Sequence, residues 1–502
     1  MKLEVEVICK GMIKPSSPTP QQLRHYQLSL LDQQINSVYN HLVLFYPTKT
    51  NVQTHNINIL DLHHFKLSVS QALTHFYPLA GRIKGNSFVD CNDEGIPFNE
   101  AQVKCRLSDL LHDPVPDELN KLYPFPLDDA KVLPMGIQLN TFDCGGIGIA
   151  LCISHKIGDA LSYFTFLNTW AAIARGDTKN VVLPEFVSAK LFPPRNISLP
   201  EPALETSEKN IATKRVVFSA SKIEEIRAKY AADHERRPSR VEALSAYIWS
   251  RFIASTKKKP SPNVMIHTVN LRTKFEPPLS AQSFGNIFRV AITVPSMDDG
   301  SNLVSQIRNS IRKIDNDYVR KLQAGEDLFE PTNQGDEKGE TTPFIFTSLC
   351  RFPLYDADFG WGKPVWVSSA RLSAKNLVVF MDTATGDGIE AWINLKEEDM
   401  AEFGSDEELL ATLKSFSSDG YDSSGGDSGS SGIASDVGVG TMSHVDRIVN
   451  VEMFASPTVT VFETHTVVEI SKKKSSRRPL LRSLVCRWPI HRRSTRCNRK
   501  WS

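Results

Sequence analysis

Apolar residues along this chain follow two spacings, and the switch between them marks most of its elements. Leu62, Phe65, Val69, Ala72, Leu73 and Phe76 recur three or four positions apart, which predicts an amphipathic helix over 62–77 that Pro78 ends. Residues 135–142 alternate instead. Asp143-Cys144-Gly145-Gly146 then has the chemistry of a tight turn and 147–153 is a second apolar run, so a β-hairpin is expected. After Asp159 the helical spacing returns at Leu161, Phe164, Leu167, Ala171 and Ala174, with Gly176 as its stop. His155 therefore falls where a buried strand gives way to a helix.

The later half repeats the alternation, with strands expected at 215–218 and 263–270, helices at 221–230, 241–254 and 303–321, and further strands towards the end. The N-terminal residues alternate Glu with Val and Leu, which reads as a first strand and not as a secretory leader. A chain of 502 residues exceeds one ordinary core. Mixed α/β patterning in both halves predicts an N-terminal domain over 1–176, a proline-rich crossover linker over 177–210 and a C-terminal domain over 211–414. The remainder, 415–502, differs in kind. It runs through Ser, Gly and Asp to about 436, a composition with too little apolar surface to order itself, then through a β-prone run at 449–470 into a basic end.

Charge and cysteine usage narrow the chemistry. Residues 471–502 carry four Lys and eight Arg with no acid, +12 against a whole-chain +1, so the first 470 residues sum to −11. An acidic body disfavours nucleic acid as a partner, since duplex binding depends on neutralising phosphates. Lys472-Lys473-Lys474-Ser475-Ser476-Arg477-Arg478 alone reads as a nuclear address or an anionic-surface contact. No run reaches the 18 to 20 apolar residues of a membrane helix. The eight cysteines form no C-x-x-C pair, which predicts reduced thiols in the cytoplasm and no metal or disulfide framework; Cys144 and Cys152 are expected as packing.

Elbow-type hydrolase, zinc-protease and P-loop motifs are absent, and Gly146-Ile147-Gly148 lacks the third glycine and the following helix of a dinucleotide fingerprint. The best candidate is His155-Lys156-Ile157-Gly158-Asp159. About one H-x-x-x-D is expected by chance in a chain this size, so its position at a strand end carries the weight. A buried histidine followed by a helix-capping Asp159 is the plain alternative. In the functional reading, neutral His155 takes the proton of a hydroxyl as that oxygen attacks an activated acyl group, and Asp159 locks the backbone turn by a salt bridge.

That motif, followed some two hundred residues later by Asp358-Phe359-Gly360-Trp361-Gly362, resembles the paired signature of the plant BAHD acyl-CoA-dependent acyltransferases. Further matches are Tyr77-Pro78-Leu79-Ala80-Gly81-Arg82, Val269-Asn270-Leu271-Arg272, Phe284-Gly285-Asn286 and Gly386-Asp387-Gly388-Ile389-Glu390-Ala391, in family order over roughly 1–410. Within the family, residues 12–20 and 346–353 look most like the vinorine synthase-like group of alkaloid O-acetyltransferases, with acylsugar acyltransferases nearby. The resemblance implies the two-domain, chloramphenicol acetyltransferase-like fold, each domain a mixed sheet flanked by helices, and a solvent channel holding His155. It implies acyl-CoA, with acetyl-CoA favoured, as co-substrate without a tightly bound cofactor. The implied acceptor is an alcohol or amine on a specialised metabolite, an alkaloid first. Asp159 would turn from the base to pair with Arg272, and Asp358, Gly360, Trp361 and Gly362 would form a structural loop towards the CoA end. A cytoplasmic monomer is implied, with no membrane partner. The competing expectation is a catalytically silent CoA-binding or regulatory protein of the same fold, directed by its tail.

Overall fold

The computed structural model describes residues 1–47, 59–126, 132–195, 210–231, 236–256, 264–296, 302–326, 343–369 and 374–414. The tail read at 415–502 lies outside the described residues, which all belong to one compact unit, Met1–Asp422. The first half forms β1 (Val5–Ile13), β2 (His25–Gln27), the one-turn helix α1 (Leu30–Gln33), β3 (Tyr39–Tyr46) and α2 (Ile59–His75). It continues through β4 (Arg82–Lys84), β5 (Phe88–Asp90), β6 (Ile96–Val103), the short helices α3 (Leu107–His112) and α4 (Pro116–Leu119), β7 (Met135–Phe142), β8 (Ile147–Ser154) and α5 (Ala160–Ala174).

The hairpin expected at 135–153 is present, with Met135 opposite Ile153. β8 is buried almost throughout, which its unbroken apolar run foretold, because β7 and β3 flank it and the sheet is covered. The predicted stripe on α2 meets the stripe on α5 in one core: Phe65, Val69, Leu73 and Phe76 pack with Phe166, Leu167 and Trp170. Each such side chain stabilises the fold by about 1.5–3 kcal/mol through burial. The Trp170 indole N–H donates to Ser68 Oγ at 3.0 Å, so its polar edge is satisfied inside that core.

After α6 (Ser188–Leu191) come β9 (Ile211–Phe218), α7 (Ala220–Lys229), α8 (Arg240–Thr256), β10 (Met265–Asn270), β11 (Phe288–Thr293), α9 (Leu303–Arg312), α10 (Asn316–Ala324) and β12 (Phe344–Ser348). β13 (Trp366–Ser368), β14 (Leu377–Asp382), β15 (Ile389–Lys396), α11 (Glu397–Gly404) and α12 (Glu407–Lys414) complete the described chain. The second sheet runs β11-β10-β12-β14-β15-β9, and its core gathers Phe218, Ile226, Leu244, Ile248, Ile307, Phe380 and Phe403.

Three differences from the sequence reading have physical causes. The helix expected over 303–321 is two helices, because Asp315 takes an extended backbone and its side chain accepts the Tyr318 N–H, capping a new start. The segment read as a crossover linker packs against both halves where it is described. Phe192 is buried, its carbonyl accepts the Leu30 N–H, and Glu185 bridges to Ser283. The first sheet, ordered β1-β6-β7-β8-β3-β13, takes its last strand from far along the chain, Val367 lying opposite Leu44. A boundary drawn by chain position assigns 366–368 to the other domain. Hydrogen bonding assigns it to the first sheet.

Candidate active site

Four segments distant in sequence meet at His155. The strand β8 ends at Ser154, the turn closes by Ile157 N–H donating to Ser154 O, and the His155 N–H donates to Val38 O at 2.8 Å just before β3. The backbone of the histidine is thus held from both sides. Its ring Nδ1 lies 2.9 Å from Asn286 Oδ1.

The orientation of Asn286 decides the tautomer. Its Nδ2 donates to His155 O at 2.7 Å and to Asp32 Oδ1 at 2.8 Å, which uses both amide hydrogens on acceptors that cannot donate. Oδ1 must then face the ring, so Nδ1 carries the imidazole hydrogen and Nε2 carries the lone pair. Asp32 is fully buried and accepts four hydrogen bonds. Two come from the Asn286 N–H and amide, and two from the Ser29 N–H (2.8 Å) and Oγ (2.6 Å) at the capping box of α1. Burial pushes the Asp32 carboxyl up, and these donors pull it back part of the way. Burial likewise lowers the His155 pKa below the usual imidazole value, against the opposing pull of its own backbone carbonyl, then the Asp159 charge, the Asn286 hydrogen bond and the Gly158 carbonyl. The ring is therefore neutral at pH 7, and it retains partial exposure beside Phe288.

Asp159 is turned elsewhere. Its Oδ1 accepts the Ser162 N–H and hydroxyl, both at 3.0 Å, which caps α5, and its Oδ2 accepts the Ile287 N–H at 3.1 Å. Arg272 closes on it with Nη1 to Oδ2 at 2.6 Å and Nη2 to Oδ1 at 3.1 Å. The guanidinium also donates to Ser283 O and Gly285 O, so this buried pair, 8% and 2% exposed, has its other hydrogen-bonding groups met. Burial is the largest influence on the Asp159 carboxyl and acts upwards. The Arg272 charge and the hydrogen bonds from Arg272, Ser162 and Ile287 outweigh it, holding the group below the ordinary carboxylate range. Asp159 thus joins the helix of one sheet to the β10–β11 connection of the other. The capping role and the ion-pair role, set out as alternatives from sequence, are both occupied.

Gly285 makes this contact geometrically possible. Its φ is +129°, and a Cβ there would stand 2.5 Å from Ser188 Oγ. Its N–H donates to Ser162 Oγ at 3.0 Å, and its carbonyl, also 3.0 Å from that oxygen, shares the one hydroxyl hydrogen with Asp159.

The 358–362 loop lies at the opposite end of α5. Arg175, just past that helix, donates from Nη1 to Asp358 O at 2.9 Å. Fifteen helical residues separate it from the Asp159 cap, roughly 22 Å at 1.5 Å per residue. Asp358 Oδ1 accepts the N–H groups of Gly360 and Gly362, each at 2.8 Å, and both glycines have φ of +94°. Phe359, 4% exposed, inserts against Trp170 at 4.6 Å between ring centres, while Trp361 stacks on Phe65 and stays partly exposed. The structure therefore brings His155, Asp159 and Arg272 together and leaves Asp358, Gly360, Trp361 and Gly362 apart from them.

Asn286, Asp32, Ser29 and Ser162 are the site residues that the sequence reading did not single out. The Phe284-Gly285-Asn286 match pointed at one of them, and Ser29-x-x-Asp32 has capping-box spacing; neither signal says that the two converge on a histidine. Cys152 is buried and its thiol pushed up by burial, while Cys144 Sγ accepts the Leu107 N–H, so both are packing groups.

Known proteins resemble this chain in sequence and in fold. The profile of the Transferase family matches residues 3–410. The chain is 40% identical over 420 residues to stemmadenine O-acetyltransferase of Catharanthus roseus, covering 81% of this chain and 97% of the relative. It is 39% identical over 420 residues to vinorine synthase of Rauvolfia serpentina, covering 80% and 96%. A crystal structure of vinorine synthase superposes with a TM-score of 0.70 at 35% identity, over 82% of this chain and 98% of that one. A more distant structure, F. sporotrichioides TRI101 with coenzyme A and T-2, shares the fold at a TM-score of 0.59 and 17% identity, covering 77% and 98%. A two-domain fold shared with vinorine synthase, a family profile spanning nearly all described residues and relatives at about 40% identity place this chain in the Transferase family, the BAHD acyl-CoA-dependent O-acyltransferases.

Proposed function

We propose that this protein transfers an acetyl group from acetyl-CoA to a hydroxyl of an alkaloid or related specialised metabolite, with Nε2 of His155 as general base. The acceptor hydroxyl donates to Nε2. As its oxygen attacks the thioester carbonyl, the proton passes to Nε2 and the carbonyl oxygen takes the negative charge of a tetrahedral intermediate. Collapse breaks the carbon–sulfur bond and expels the CoA thiolate, which takes the proton back from the imidazolium. The products are the ester and free CoA, and the base is regenerated without an acyl-enzyme.

The observation that carries this reading is the hydrogen-bond chain His155–Asn286–Asp32, which assigns the hydrogen to Nδ1 and leaves Nε2 basic. When Nε2 takes its proton, the new charge is met by an Asn286 carbonyl whose amide is already polarised by the Asp32 carboxylate. Arg272 and Asp159 hold the turn that aims the ring, and the 358–362 loop anchors the start of β13. The names of the alkaloid acetyltransferase relatives and the CoA-bound TRI101 structure support donor and acceptor class. The reading includes a cytoplasmic monomer. Among the described residues no helix is long and apolar enough to cross a membrane.

The test is release of free thiol from acetyl-CoA by the full chain, across a panel of alkaloid and sugar alcohols. His155→Ala is expected to lower acceptor-dependent turnover by about 10²- to 10⁴-fold with the fold intact. Equal turnover in the variant would reject His155 as base.

A further inference from the structure

Lys156, next to the proposed base, points away from it into a place the acyl transfer does not use. The residue is 7% exposed, and its Nζ donates to Gln33 O at 3.1 Å and to Asn86 Oδ1 at 2.5 Å. Both acceptors are neutral, and an ammonium has a third hydrogen to place. Among the described residues no carboxylate lies within ion-pair distance of Nζ. Asp32 is the one acid whose charge acts on it, and that carboxylate is already engaged by Ser29 and Asn286. A buried cation is ordinarily paired, because the cost of removing it from water is otherwise uncompensated.

Beside this ammonium is a pocket of about 300 Å³, open to solvent and lined by Ser37, Ile83, Gly85, Asn86, Val132 and Lys156, of which Ser37, Gly85 and Val132 are exposed. The volume is at the lower end of the range for small-molecule pockets. Ile83 and Val132 give it an apolar side, and Ser37, Asn86 and Lys156 a polar one. A bare ion would leave the apolar side unfilled. One lysine, a point charge, balances a single negative charge and not the several of a nucleotide's phosphates. The pocket is tied to the segment that carries the base through the backbone, since Lys156 follows His155 and Ser37 precedes Val38, whose carbonyl accepts the His155 N–H.

We propose that the cavity beside Lys156 is a carboxylate-binding subsite that takes a small organic acid group, either free or carried by the acceptor. Bound there, the carboxylate accepts the remaining Nζ hydrogen and supplies the counter-charge that the protein omits, while its apolar part lies along Ile83 and Val132. Burial pulls the empty-site lysine down to about 8, so it still carries its charge at pH 7 when the acid arrives.

Benzoate and its neutral match benzamide are the probes, read by thermal unfolding and calorimetry on the full chain at pH 7 without acyl donor, so the outcome does not depend on the transfer reaction. Benzoate is expected to stabilise the wild type and benzamide not. The effect should be lost in Lys156→Gln. Should that variant fail to fold, Ser37→Leu reads the same point, since it fills the cavity from an exposed wall position and keeps the lysine. Equal effects of benzoate and benzamide, or benzoate binding retained in both variants, would overturn the proposal. So would stabilisation by CoA that depends on Lys156 with none by benzoate, which would give the site to the donor's phosphates. The source is read separately by comparing turnover of 4-(hydroxymethyl)benzoate with that of its methyl ester. A preference for the acid that disappears in Lys156→Gln assigns the subsite to the acceptor, and benzoate binding without that preference assigns it to a free acid.

Discussion

A histidine acts as a base at one nitrogen only, and for the proposed base His155 the tautomer is set by a residue 131 positions away. Replacing Asn286 by Ala removes the acceptor for Nδ1–H and frees the ring to hold its hydrogen on either nitrogen and to rotate. By analogy with groups that orient metal-bound imidazoles, a loss in kcat of about 10- to 100-fold is expected, with KM for acetyl-CoA within about twofold. The pH profile separates this from mere loosening. Burial already holds the His155 pKa below its ordinary value, so the acid limb of kcat/KM lies under pH 6.5. Without the Asn286 carbonyl the imidazolium is less stabilised, and the limb moves further down. Arg272→Met gives a different signature. It leaves the Asp159 carboxylate buried without its cation, and a stability loss of about 3–5 kcal/mol is expected in denaturant unfolding.

At the scale of elements, short-range patterns reported short-range structure well. His155 was legible at the end of a strand because alternation and helical spacing are both written into adjacent residues, and α5 follows from Asp159 as its cap. The helix at 303–321 was misread because the apolar spacing continues across Asp315 while the backbone does not. The partners of the base were not legible, since no periodicity relates Asp32 to Asn286 across 254 positions. Likewise Trp361, the conspicuous residue of its loop, is less buried than Phe359, which does the anchoring. The β10–β11 connection allows a direct check. Gly285→Ala places a Cβ against Ser188 at a φ of +129°, and a lowered unfolding midpoint together with reduced kcat is expected. Ala at Gly176, which has open space around it, shows only the milder cost of its positive φ.

At the scale of the whole molecule, pH acts on stability through groups far from the chemistry. His267, on β10, is 4% exposed, stacks on Phe346, and neither ring nitrogen has a hydrogen-bond partner. Burial lowers its pKa to about 4. The unfolded chain binds this proton near pH 6.5 and the folded one only near 4. Stability is therefore complete above pH 6.5 and declines as pH falls towards 4, by on the order of 3 kcal/mol from this group. Urea unfolding at pH 7.5 and 4.5 should show that decline in the wild type and much less of it in His267→Leu. A decline of equal size in both would contradict the assignment. Asp159, held low by Arg272, acts in the same sense at still lower pH, its contribution being lost as the carboxylate is protonated.

The exchange of β13 between the halves has a consequence for how this enzyme comes apart. Because Trp366–Ser368 is hydrogen-bonded beside β3, a polypeptide ending before β9 keeps an open edge on its first sheet, and the later polypeptide carries a strand with no sheet of its own to join. Two fragments divided near residue 200 are therefore expected to be more stable together than apart, although the later one keeps its own six-stranded sheet and core; unfolding midpoints of each fragment alone and of the mixture check this. The same interlock means that chimaeras exchanging halves between relatives must match the edge of β3 to the incoming strand, whichever acceptor pocket they are built to graft.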